Sequence, residues 1–142
     1  MNSFHQMIAD LRQHQDISRE LLALAERESQ LLRQGLAAAL TELYQTKKIL
    51  LPRLSESLQR VKAHRQHWQT LTAAERATQP EIPFLIRQVQ DLIMRVIHLD
   101  RENEQGLLRR GLVPAREVSS VAAPRPHFVA DLYRRSGAEA RS

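Results

Sequence analysis

The chain has no cysteine among its 142 residues. That excludes a disulfide framework, a thiolate metal site and a cysteine nucleophile, and it fits a reducing compartment. Aromatics are scarce, with one Trp, two Tyr and three Phe. The core must therefore come from Leu, Ile, Val and Ala, as in helical bundles and coiled coils rather than sandwiches or barrels. Only four Gly are present, and none forms a phosphate-cradling loop. No apolar run approaches the roughly 18 residues of a membrane span. The opening Met1-Asn2-Ser3-Phe4-His5-Gln6 has no basic stretch leading into an apolar one, so no secretory signal is read there. A cytoplasmic protein without membrane insertion is the expectation.

Catalytic signatures are missing as well. Six His invite a metal hypothesis, and His64 and His67 share a helix face at a spacing of three. No Glu-x-x-His pair accompanies them, so both are read as solvated polar residues beside Trp68. Asp10 and His14, four apart, read as an ordinary surface pair. No Ser, His and Asp arrangement suggests a nucleophile elbow or triad. An enzyme is not expected, nor a metal or any other cofactor.

The net charge of +5 is unevenly placed. Residues 1–108 hold 14 Lys and Arg against 13 Asp and Glu, whereas residues 109–142 hold seven Arg against Glu117, Asp131 and Glu139. Those arginines are dispersed and the body offers no basic groove, so nucleic acid is not the expected partner.

What the chain does have is more than a hundred residues of apolar positions spaced by three and four, the helical period. The expected fold is all-α: an antiparallel three-helix bundle, coiled-coil-like, over residues 1–112. Its helices are expected at about 3–34, 36–70 and 80–110. Ser3 with Gln6 has the form of a capping box for the first helix, and the polar stretch Gln13-His14-Gln15-Asp16 is a place for it to fray or bend. Gly35 follows Arg33-Gln34 where a C-cap belongs. The rival reading, one helix running through Gly35 at a cost of about 1 kcal/mol, would leave the Leu stripes unburied. Pro52 lies inside the second helix, yet Leu50 and Leu54 keep phase across it, which favours a kink over a break. Thr72-Ala73-Ala74-Glu75 and Thr78-Gln79-Pro80-Glu81 both have capping-box form.

The third helix has the cleanest period: Ile82, Leu85, Ile86, Val89, Leu92, Ile93, Val96, Leu99, Asn103 and Leu107. Its stripe is wider than a two-residue seam, with Leu85 and Ile86, Leu92 and Ile93, and Val96 and Ile97 side by side. One edge can pack against the first two helices while the other serves a partner. Asn103 falls at an apolar position, where exposure near a helix end is the simple account and register-fixing the alternative. Gly111 and Pro114 stop the helix.

Residues 113–126 read as a linker, 127–135 as a short amphipathic segment and 136–142 as a disordered end, together a flexible C-terminal tail. If helical, Phe128 with Leu132 and Val129 with Tyr133 form two pairs on one side. Such a short element does not hold itself together alone. It must dock, either on its own body or on a partner.

Three stretches resemble the FlgN family of flagellar export chaperones for hook-associated proteins. The first is Leu21-Leu22-Ala23-Leu24-Ala25-Glu26-Arg27-Glu28 followed by Leu31-Leu32-Arg33-Gln34-Gly35. The second runs through Leu36-Ala37-Ala38-Ala39-Leu40-Thr41-Glu42-Leu43 and Thr46-Lys47-Lys48-Ile49-Leu50-Leu51. The third is Leu99-Asp100-Arg101-Glu102-Asn103-Glu104-Gln105. The similarity covers roughly residues 17–111, with Leu36 in place of the acidic residue that often follows the turn glycine.

This resemblance implies an antiparallel bundle that binds C-terminal segments of hook–filament junction proteins, keeps them unassembled and brings them to the export gate. It also implies that the last helix and the tail contact the client, and Tyr133 is the candidate tail tyrosine for the gate. Together the two readings give Leu85, Ile86, Val89, Leu92, Ile93, Val96, Ile97, Asn103, Phe128, Leu132 and Tyr133 as expected client contacts. The alternative is a self-associating coiled-coil adaptor in which the stripe closes a homodimer; monomer and homodimer both stay open.

Overall fold

The computed structural model describes residues 3–109, 129 and 132–134, with the side chains of Ser3 and Ala37 excepted. The expected linker 113–126, the end 136–142, Phe128 and the other undescribed positions of segment 127–135 lie outside the described residues. The described chain is helical and contains no strand. Helix α1 spans Ser3–Arg33, a 3-10 turn spans Ala37–Ala39, α2 spans Leu40–Gln69, the short α3 spans Ala73–Ala77 and α4 spans Glu81–Arg109.

Gly35 is where the first hairpin turns. Its φ of 72° is left-handed, a conformation that glycine adopts without Cβ strain. Gly35 N–H donates to the Leu32 carbonyl and Leu36 N–H to the Leu31 carbonyl, the paired bonds that close a helix in a Schellman motif. The chain then takes a 3-10 turn, so α2 starts at Leu40 rather than Leu36.

Helix α2 runs through Pro52 without interruption. Proline frees the carbonyl four residues back, that of Lys48, and both positions face solvent, where the carbonyl is open to water. At the next connection Thr72 and Glu75 form the expected capping box in front of α3. Thr78 does not repeat it. Its hydroxyl turns back onto the Glu75 carbonyl, capping the end of α3 instead of the start of α4.

Three apolar clusters order the helices. Met7 and Leu11 of α1 meet Val61 of α2 and Ile82 and Leu85 of α4. Ile17, Leu21 and Leu22 meet Leu50, Leu51 and Leu54, and Val89, Ile93 and Val96. Leu31 and Leu32 meet Leu40, Leu43 and Leu107. Helix α2 therefore runs against α1, and α4 runs with α1. An exposed Arg12–Glu81 ion pair ties the beginning of α4 to α1. Helix α1 packs along both partners, while α2 and α4 make little direct backbone approach to each other.

Candidate functional site

The gap between α2 and α4 is closed by the chain's own C-terminal segment. Val129 is fully buried in the middle cluster, with Leu132 and Tyr133 packed against it. Val129, Leu132, Tyr133 and Arg134 are helical. Of the amphipathic pattern read from the sequence, Val129, Leu132 and Tyr133 thus dock on the chain's own body.

Polar side chains hold the segment there. Asp100 of α4 and Lys47 of α2 pair at 3.0 Å, each with only 1% of its side chain exposed. The other Asp100 oxygen accepts the Val129 N–H at 3.2 Å. One turn further, the Tyr133 hydroxyl meets His14 Nε2 at 2.6 Å, and His14 Nδ1 meets the Ser57 hydroxyl at 2.9 Å. Every described helix of the bundle core thus contributes an anchor: His14 from α1, Lys47 and Ser57 from α2, and Asp100 from α4.

Burial sets the protonation of these groups. It raises the Asp100 carboxyl above the usual carboxylate range, an effect opposed by Lys47 and by the Val129 N–H. It likewise raises the Tyr133 phenol. His14 is lowered to about 4, mainly by burial and further by the Arg60 charge, so the ring is neutral near pH 7.

A pH dependence follows from His14. In the unfolded chain the ring titrates near 6.5, and in the fold near 4. Its contribution is complete above pH 6.5 and is lost as pH falls toward 4. That gap corresponds to roughly 3 kcal/mol. Denaturant unfolding at pH 7 and pH 4.5 checks it: His14→Gln is expected to remove most of the difference between the two conditions. An identical pH slope in both proteins would contradict the assignment.

The expected contacts on the third helix fall into groups. Leu85, Val89, Ile93 and Val96 are buried in the bundle. Ile86, Leu92 and Ile97 are half-buried at its edge. Leu85 and Ile86 belong to the Met7 cluster, away from the C-terminal segment. Leu92, Ile97 and Leu99 lie in the cluster that the segment covers.

Asn103 is not exposed at a helix end. Its Nδ2 donates to the Ala25 carbonyl and to Glu28, and its Oδ1 accepts from Ser29. Its bonding capacity is used within the bundle, where it fixes the register of α4 against α1. Glu28 also accepts from Tyr44 at 2.6 Å, so the stretches carrying the family resemblance meet here and at Lys47–Asp100.

Two other readings change. Asp10 and His14 are both buried and bond to different partners, Asp10 to His64 at 2.7 Å and to Gln6. The polar stretch around His14 neither frays nor bends into solvent. His14 and Gln15 point inward, with Gln15 bonded to Gln88 of α4. Among the described residues every buried side-chain polar atom has a partner, and no cluster of His, Cys, Asp or Glu is arranged to hold a metal. No helix among them is long and apolar enough to cross a membrane.

The described residues form a helical bundle that packs a short helical piece of its own chain on a few polar anchors. Sequence comparison identifies which one: the chain belongs to the FlgN family, whose model, described as FlgN protein, matches residues 1–139. That family consists of flagellar export chaperones, and its partners are hook-associated proteins. No curated protein and no solved structure matches the chain.

Proposed function

We propose that this protein binds the amphipathic C-terminal helices of hook–filament junction proteins in the cytoplasm. It holds those subunits unassembled and delivers them to the flagellar type III export gate. The observation that carries this reading is the helical C-terminal segment packed against the α4 seam. Val129 of that segment is buried in the same cluster as Val89, Ile93 and Val96, with Leu92 and Ile97 half-buried beside it.

The junction protein's helix would supply the same kind of cover, replacing contacts it later makes in the filament. Each Leu-sized side chain transferred from water contributes roughly 1.5–3 kcal/mol before ordering costs. Leu85 and Asn103 support the site from within the bundle. Tyr133 would reach the gate only when its hydroxyl leaves His14.

Co-purification tests the reading. Full-length hook–filament junction proteins are expected to be retained by the immobilised chain, and versions lacking their C-terminal helix are not. Equal retention of both would contradict capture through that helix.

A further inference from the structure

The C-terminal segment is held by contacts that the bundle can do without. If it left, Asp100 would keep Lys47 and His14 would keep Ser57. No buried charge would be orphaned, which is the usual obstacle to opening a polar core. Val129 alone among the described segment residues is fully buried, while Leu132 and Tyr133 are half-buried. The segment is tethered to α4 through residues 110–128, which include Pro114, Pro124 and Pro126.

We propose that the cleft between α2 and α4 is an exchangeable helix site. The C-terminal segment fills it in the free protein, and the junction protein's helix takes its place. This rests on the function proposed above and adds how the site is regulated and what it recognises. Val129 lies at the level of Lys47 and Asp100, and Tyr133 at the level of His14 and Ser57. The segment therefore runs with α2 and against α4, and an incoming helix takes the same direction.

The anchors define its chemistry. A backbone N–H donates to the Asp100 carboxylate at the place of Val129. A branched aliphatic side chain fills the place of Val129. A hydroxyl-bearing residue four positions later meets His14.

Exchange and clamping differ in sign. If the segment folded over the client, weakening it would weaken binding. If the segment competes, weakening it strengthens binding, because a site occupied by its own chain binds in proportion to the open fraction.

The test uses the full chain, its Val129→Asp variant and its Tyr133→Ala variant, titrated calorimetrically with a synthetic C-terminal helix of a hook–filament junction protein. Both variants are expected to bind about tenfold more tightly than the parent chain. Amide exchange followed by NMR adds a direct readout. The Val129 N–H is expected to be protected in the free chain and to exchange rapidly once the peptide saturates.

Equal or weaker binding by the variants, or a Val129 amide that stays protected in the complex, would overturn exchange while leaving client capture standing. Failure of the parent chain and both variants to bind the peptide would overturn both. Should Val129→Asp fail to fold, Tyr133→Ala carries the comparison.

Discussion

Ile93→Asp is expected to unfold the protein rather than merely weaken its hold on a partner. Ile93 is 4% exposed and sits in the middle cluster among residues of α1, α2 and α4. Truncating a buried Ile costs about 2–5 kcal/mol. An unpaired carboxylate at the same place adds several kcal/mol more, through desolvation or forced protonation. The sum is comparable with the whole stability of a small domain, about 5–15 kcal/mol.

The neighbouring Met94→Asp is the control. Met94 is 62% exposed, and the change there should stay within about 0.5 kcal/mol. Far-UV circular dichroism and thermal melts separate the two. A folded Ile93→Asp protein with unchanged stability would show that α4 packs differently.

Lys47→Met should be nearly as damaging, although Met suits a helix and a core. The substitution leaves the Asp100 carboxylate buried without its ammonium partner, which costs about 3–5 kcal/mol. The deficit should shrink as pH falls, because burial already raises the Asp100 carboxyl and a neutral carboxyl needs no counter-charge. The double variant Lys47→Met with Asp100→Leu should recover most of the loss, since a well-packed apolar pair can replace a buried ion pair. About 1 kcal/mol should remain lost, because the Val129 N–H no longer has the Asp100 oxygen. Chemical unfolding of the two singles and the double measures the cycle. Additive losses in the double variant would contradict a direct pair.

The helical fold was legible because the apolar period is long and Gly35 sits where a helix should end. The polar half of the core was not. In α1 the buried seam passes through Met7, Leu11, His14, Ser18, Leu21, Ala25, Glu28 and Leu32; in α2 it passes through Leu40, Leu43, Lys47, Leu50, Leu54, Ser57 and Val61. The spacing of three and four never falters, yet His14, Glu28, Lys47 and Ser57 are residues that composition assigns to the surface.

Each stands at a seam position because a partner on another helix satisfies it, and that partner is far away in sequence. Asp100 was hidden in the same way, beside a stripe whose apolar members drew attention to Asn103 alone. Phase could have flagged all of these positions, but it could not have paired Lys47 with Asp100 or His14 with Tyr133. Docking of the C-terminal segment was a balanced question for the same reason. Its anchors, His14 and Asp100, look like ordinary helix polarity until the helices are assembled.

The most direct measurement is a calorimetric titration of the intact chain with the isolated C-terminal helix of a hook–filament junction protein, set beside a helix from elsewhere in the same protein. Saturable one-to-one binding of the C-terminal helix, with a negative heat-capacity change from apolar burial, is the predicted result. Binding of neither helix, or of both alike, would contradict client capture by this bundle.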